Sequence, residues 1–444
     1  MKRTFRLSFY VICLLIGAFV VSWLIFMPNG QERGAWRAET GGVVLELTPL
    51  KATMFSETAH SCHTVIAFPA HMKLVEMLEG ATVGMNGAQL ELAIDGTLNT
   101  QRFDRLDALP ENCTAPDPAS ASARDVFDAA WTAMDEHYAF FDLHGVDWAA
   151  RRALAPAPDA RMDDAQLEDM LLAMTAGLDD GHVHFGSDTR GYRSPAERPG
   201  WIPEGSNLNR DMLRQIAIAN AGATITKSQT APIFYGLRED GIGYIMLREM
   251  DVDVPIGGRS MDAMATAFAN VLADLDAAKA LIIDIRYNPG GSDTVSFGLA
   301  GHFIEAPLPV FTKTTRIGTT QTAPFTAILE PQGDAPDPRP VILMTSKLTG
   351  SAAEILTLAM REIPQVTTLG EPTSGGLSDV MGFTLPNGWG LGLSNQTYLT
   401  MNGDLFEKIG VPPDVPVPFE TAPFLDGKDP VLNAAIAEAS KYLQ

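Results

Sequence analysis

Val341-Ile342-Leu343-Met344-Thr345-Ser346-Lys347-Leu348-Thr349-Gly350-Ser351-Ala352-Ala353-Glu354 reads as a buried strand, a short glycine-containing turn and the start of a helix. Ser351 stands where the turn becomes the helix. A hydroxyl placed there lies at a strand edge, beside helix N–H groups that lack intrahelical partners. Acyl transfer needs that arrangement, because those N–H groups can hold the oxyanion formed on attack. A plain helix-capping serine is the alternative at such a position. Glu354, one turn on, reads as local support. Lys347, four residues upstream, has no geometric reason to serve the serine.

Two further turns join this one. Residues 280–286 form an apolar run without alternation, as expected of a strand buried on both faces. The run leads into Tyr287-Asn288-Pro289-Gly290-Gly291-Ser292. Two glycines there let the backbone approach a ligand and aim an N–H at it, so Gly290 or Gly291 with Ala352 makes a candidate oxyanion hole. The third turn, Asp180-Gly181-His182, puts an imidazole just after a helix, and histidine is the usual base for a serine hydroxyl. His184, two residues on, is a competing base expected on the same side of an extended segment. A His-x-His metal pair with Asp179 or Asp180 lacks a locally spaced third nitrogen or sulfur ligand. No metal and no cofactor are therefore expected.

The chain has 444 residues, 46% of them hydrophobic, with a net charge of −22. That length can bury more than one core. The acidity argues against nucleic-acid and anionic-lipid partners. Lys2, Arg3 and Arg6 precede an uncharged apolar run over residues 7–27, with no convincing small-x-small cleavage site after it. An uncleaved signal anchor is favoured over a cleaved signal peptide, and either puts the body outside the cytoplasm, in a periplasmic or similar compartment. Cys13 lies in that run. Cys62 and Cys113 remain as a candidate disulfide.

Short alternating runs at 43–47, 64–68 and 90–94 predict a β-rich N-terminal domain over 30–116, after the leader at 1–29. An Ala/Pro/Ser-rich linker occupies 114–122. Helical spacing follows at Phe127, Trp131, Met134 and Tyr138, and again at Leu167, Met170, Leu171 and Met174, giving a helical subdomain over 117–190. Residues 191–232 are turn-rich and read as an irregular connector. From 233 to 444 the pattern is α/β, with expected strands at 242–250 and 280–286 and a helix at 261–278. Strands follow at 380–400 around an Asn387-Gly388 turn, then a terminal helix at 430–443.

Asp284-Ile285-Arg286-Tyr287-Asn288-Pro289-Gly290-Gly291, Thr349-Gly350-Ser351-Ala352-Ala353-Glu354, Gly370-Glu371-Pro372-Thr373-Ser374-Gly375-Gly376 and Gly403 with Glu407-Lys408-Ile409-Gly410-Val411-Pro412-Pro413-Asp414 occur in this order. Together with Leu178-Asp179-Asp180-Gly181-His182, they resemble the tail-specific (C-terminal processing) protease and tricorn-core serine peptidase family over about residues 123–420. The resemblance implies an α/β, crotonase/ClpP-like ββα core carrying a serine peptidase that acts on peptides or unfolded proteins. Gly376 stands where Ser/Lys members carry their lysine, so the tricorn-like branch is implied: Ser351 as nucleophile, His182 as base, Glu407 as orienter of the histidine. That branch has a hydroxyl residue before its histidine; Gly181 stands there in this chain. No PDZ module is recognisable between the helices and the core. Two other readings stay open: a non-catalytic lipid- or peptide-binding module on the same fold, and a non-peptidase acyl hydrolase.

Overall fold

A computed structural model of the chain describes residues 26–71, 80–113, 121–203, 208–254 and 258–443. The expected linker at 114–122 and the expected membrane segment at 7–27 fall largely outside them. Among the described residues no helix is long and apolar enough to cross a membrane. The chain divides into two compact units, residues 1–94 with 100–117, and residues 95–99 with 118–444.

The first unit is an antiparallel meander of β1 (Gly34–Ala38), β2 (Val43–Leu47), β3 (Lys51–Glu57), β4 (Cys62–Pro69), β5 (Ala81–Asn86), β6 (Gln89–Ile94) and β7 (Gln101–Leu106), in spatial order β4-β3-β2-β1-β7-β6-β5. Alternation sorts its side chains. Trp36, Leu45, Leu47, Leu90, Leu92 and Phe103 pack in one cluster, and Val44, Phe55, Cys62 and Cys113 in another. Cys62 and Cys113 are joined by a disulfide across 51 residues of sequence.

The second unit begins with α1 (Ala123–His137), α2 (Phe141–His144) and α3 (Asp164–Thr175), followed by β8 (His184–Ser187) and β9 (Gly191–Arg193). Capping boxes start both long helices: Ser122 with Asp125, and Asp163 with Gln166. Next come α4 (Arg210–Asn220), β10 (Thr226–Lys227), β11 (Ile233–Leu237), β12 (Ile242–Leu247), α5 (Ser260–Asp274), β13 (Ala280–Asp284) and α6 (Asp293–Ala300). The chain continues through β14 (Leu308–Ile317), β15 (Thr320–Gln321), β16 (Phe325–Leu329), β17 (Val341–Thr345), α7 (Ala352–Arg361) and β18 (Val366–Gly370). It closes with β19 (Val380–Thr384), β20 (Gly390–Ser394), β21 (Gln396–Thr400), β22 (Val415–Pro416), α8 (Thr421–Leu425) and α9 (Pro430–Ala439).

A seven-stranded sheet in order β10-β11-β12-β13-β17-β18-β22 is the framework. It is parallel from β12 to β22. Every residue of β13 and β17 is buried, which accounts for their unbroken apolar sequence. One face is covered by α5, α6 and α7 through Phe268, Val295, Leu299 and Ile355. The other is covered by α4 and α9 through Leu213, Ala217, Leu432 and Ala435.

Two segments differ from the expected division. The helical segment does not form a core of its own. Phe127, Met134, Leu171 and Met174 pack against Phe383, Leu391 and Leu393 of β19 and β20, and β8 pairs with β20. The segment 191–232 is not wholly irregular, because it contains α4, capped by Asn209 through Met212 N–H at 3.0 Å. Proline and glycine density set the expectation there. Burial of Leu213 and Ala217 against the sheet stabilises the helix.

Candidate active site

The site lies at the carboxyl ends of β13 and β17, where ligands of open parallel sheets bind. β17 runs into the Ser346–Gly350 turn and then α7. Ser351 adopts φ 52° and ψ −128°, a conformation that side chains other than glycine adopt at a cost. Several contacts hold it. Its N–H donates to Gly376 O (3.2 Å) and to Glu354 Oε2 (3.1 Å).

Glu354 is the hub of this turn. It is fully buried and also accepts from Thr373 Oγ1 (2.5 Å), Ser374 Oγ (2.9 Å), Gly375 N (2.8 Å) and Gly376 N (2.9 Å). Burial raises its pKa, and these donors pull the other way. The sequence placed Glu354 as local support; it joins the Ser351 turn to the glycine-rich segment after β18.

The Asn288-Pro289-Gly290-Gly291 turn meets Ser351 directly. Gly350 N–H donates to Asn288 O at 3.1 Å. A methyl group on Gly290 would lie 2.6 Å from Ser351 Cβ, 2.8 Å from Gly350 O and 3.0 Å from Ala352 N, so only glycine fits, and φ 110° requires it independently. Gly290 N–H is committed to Asn288 Oδ1 at 2.9 Å. The N–H groups of Gly291 and Ala352 have no partner among the described residues. Of the two candidate glycines, Gly291 is therefore the one with a free donor.

Beneath the turn, Arg286 is fully buried between Asp284 and Asp429, each at 2.7 Å. Ser346 Oγ donates to the Arg286 carbonyl oxygen at 2.5 Å. Asp429, at the start of α9, gave no signal in the sequence, because its partner is 143 residues away. Lys347 Nζ donates to Thr373 O and Ile409 O (3.2 and 3.1 Å), so it braces the same glycine-rich segment.

His182 sits in the turn between α3 and β8. Asp180 anchors it, accepting from His182 N at 2.8 Å through Oδ1 and from Tyr138 OH at 3.0 Å through Oδ2. The His182 ring lies beside Gly376: a methyl there would be 3.8 Å from Cε1 and 4.0 Å from Nδ1. Its buried Nδ1 has no hydrogen-bond partner among the described residues. No hydrogen bond joins His182 to Ser351 or Glu407 among the described residues.

Glu407 is buried and accepts from Leu377 N and Ser378 N at 3.0 and 3.1 Å. Burial, then the neighbouring Asp180 and Glu354, raises its pKa well above the ordinary carboxylate value. Burial, then Asp180 and behind it Glu407, raises the Tyr138 pKa. Tyr138 served the sequence only as an apolar helix position, and Asp180 was weighed only as a partner of a His-x-His metal pair.

His184 does not share the surroundings of His182, contrary to the expected common side. It belongs to β8, its Nδ1 lies 2.9 Å from His182 O, and its ring packs on Gly392 and edge-on to Tyr192. His182 precedes the strand, so period-two alternation does not relate the two rings. Burial lowers the His184 pKa. Among the described residues no three His, Cys, Asp or Glu side chains converge as a metal site.

Residues 241–417 match the profile of Peptidase family S41, and residues 119–175 that of the Tricorn protease C1 domain. The carboxyl-terminal-processing protease of Synechocystis is 33% identical over 138 residues, 31% of this chain and 30% of the relative. The carboxy-terminal processing protease CtpA of Bacillus subtilis is 24% identical over 270 residues, 56% of each chain. The chain thus spans about a third to just over half the length of these relatives. Among solved structures, a candidate peptidase from Parabacteroides merdae superposes with a TM-score of 0.59 at 27% identity, covering 72% of this chain and 97% of that one. Mature CPAF bound to lactacystin shares the fold with a TM-score of 0.53 at 12% identity, over 72% and 99% of the two chains.

Proposed function

For a chain that carries a peptidase family S41 domain at residues 241–417, we propose a serine endopeptidase that cleaves peptide bonds through a Ser351 acyl-enzyme. His182 takes the Ser351 proton as the hydroxyl attacks the scissile carbonyl carbon. The N–H groups of Gly291 and Ala352 receive the oxyanion. The protonated imidazole gives its proton to the leaving amine, and water repeats the sequence on the acyl-enzyme. Glu407 orients the imidazole, and Asp180 with Tyr138 fixes the backbone from which it projects.

One observation carries the reading: the strained Ser351 turn is packed on Gly290 with two unpartnered N–H donors beside it. The position of His182 against Gly376 adds support, since no lysine stands there. The test is cleavage of casein or an unfolded protein by the full chain and by Ser351→Ala, with fluorophosphonate labelling of the same preparations. Cleavage and labelling are expected only with the serine present. Undiminished cleavage by Ser351→Ala overturns the scheme.

We also propose that the catalytic unit works outside the cytoplasm. The basic residues before the apolar run at 7–27 support this, as does the Cys62–Cys113 disulfide, a bond that persists in oxidising compartments.

A further inference from the structure

Residues 95–99 join β6 to β7 in sequence, yet they belong to the second compact unit. Asp95 Oδ2 accepts from Ser260 N and Ser260 Oγ, both at 2.8 Å, across 165 residues of sequence. Ser260 is the first residue of α5, where backbone N–H groups lack intrahelical partners and the helix end favours negative charge. One residue on, Gly96 O accepts from Ser292 Oγ at 3.3 Å and from Thr294 N at 3.5 Å, at the start of α6. Leu98 packs against the core beneath α5 and α6. This short segment thus holds the starts of two helices.

Those helices frame the Gly290-Gly291 turn. The two glycines have φ of 110° and 143°, and neither has a side chain to restrict it. The direction of the Gly291 N–H is therefore set by its neighbours. Met250 brackets the pair, donating to Gly290 O at 2.8 Å and accepting from Ser292 N at 2.7 Å. The Ser292 hydroxyl ties the far end of the turn to α6 through Val295 N at 3.4 Å, and to Gly96 O. One turn further along α6, Ser296 Oγ donates to Ala352 O at 2.6 Å, so the same helix reaches the second candidate donor residue. α5 lies close against α6: a methyl on Gly298 would sit 2.9 Å from Met261 Cγ. Gly96 is itself closely fitted. Its φ is 95°, and a methyl on it would come within 3.2 Å of Ser292 Oγ.

An oxyanion hole works through donors aimed before the charge develops, and an error of about an ångström is costly. Resting on the peptidase reading above, we infer that Asp95 and Gly96 are positioning residues of the reaction: they clasp the starts of α5 and α6 and so fix the aim of the Gly291 N–H.

The test uses the full chain with Asp95→Ala, Asp95→Asn and Gly96→Ala. Urea denaturation checks that each variant folds. Hydrogen–deuterium exchange over residues 288–296 reads the turn without any substrate. Steady-state cleavage of an unfolded protein separates kcat from KM. Asp95→Ala and Gly96→Ala are expected to speed exchange in that segment at least about tenfold. Both are also expected to lower kcat about tenfold or more, with KM within about twofold of the unsubstituted chain. Asp95→Asn keeps an oxygen for the Ser260 N–H and is expected to restore most of both, which a general loss of packing would not. If Asp95→Ala does not fold, Gly96→Ala, which removes no hydrogen-bonding group, carries the comparison. Unchanged exchange overturns the clasp. Faster exchange with unchanged kcat overturns its part in the reaction, as does a loss confined to KM. Absence of cleavage by the unsubstituted chain overturns the peptidase reading instead, and the exchange comparison still decides the clasp.

Discussion

The Ser351 half and the His182 half of the candidate site are built to different degrees of completion. Around Ser351 nearly every polar group is engaged. Glu354 gathers five donors, Gly290 abuts Ser351 Cβ, and Lys347 braces the loop behind them. The His182 turn is anchored at its backbone by Asp180, yet the buried Nδ1 of its ring has no partner among the described residues. The Ser351 half resembles a packed core, with the N–H groups of Gly291 and Ala352 left without partners among the described residues. The His182 half fixes a main chain and leaves its ring without a partner, a looseness compatible with a candidate base in the absence of substrate.

That contrast predicts different penalties on the two sides. The largest belongs to His182→Ala, expected to lower kcat by about 10⁴-fold or more while leaving the urea midpoint unmoved. Retained turnover would assign the base elsewhere, and the parallel His184→Ala variant, expected to stay active, would show where. On the other side, Glu354→Leu strands several buried donors and should cost about 3–5 kcal/mol of stability, read from urea denaturation. A loss of activity at unchanged stability would make Glu354 part of the chemistry and blur the contrast. Gly290→Ala drives a methyl into Ser351 Cβ and should lower kcat/KM by about 100-fold in a chain that still folds. If it is silent, the nucleophile turn is less rigid than its contacts imply.

The smallest effect concerns acid. His137, one residue before Tyr138, is buried against Phe383, and burial pushes its pKa down to about 4. The unfolded chain holds that proton below about 6.5. Stability is therefore full above pH 6.5 and declines as pH falls toward 4, by about 2.5 kcal/mol at pH 4.5. His137→Leu should flatten that part of the pH–stability curve. A curve unchanged by the substitution would assign the acid sensitivity to other groups.

How much of this was legible follows the range of the interactions. Asn288-Pro289-Gly290-Gly291 and the Ser351 turn are local, and glycine positions with a strand before and a helix after announce themselves. The strands of the N-terminal meander were legible through alternation at 43–47 and 90–94. What escaped depends on residues far apart in sequence: Arg286 with Asp429, Tyr138 with Asp180, and β8 pairing with β20. α4 escaped for another reason, since within it only Leu213 and Ala217 are fully buried apolar positions, with Ile216 and Ile218 partly covered, and the surrounding prolines mask so short a stripe. His184 was misplaced because one turn residue separates His182 from the strand whose alternation was applied to both.

The neighbourhood of Gly376 sets how much room remains beside His182. A methyl there would meet the ring at 3.8 Å and Glu354 Oε2 at 3.9 Å, both ordinary van der Waals contacts. Position 376 therefore has room for one more carbon in touch with both groups, and atoms added beyond it would compete with the imidazole for the same space. The size of the residue at 376 thus bears on the freedom of the ring before any question of basicity arises.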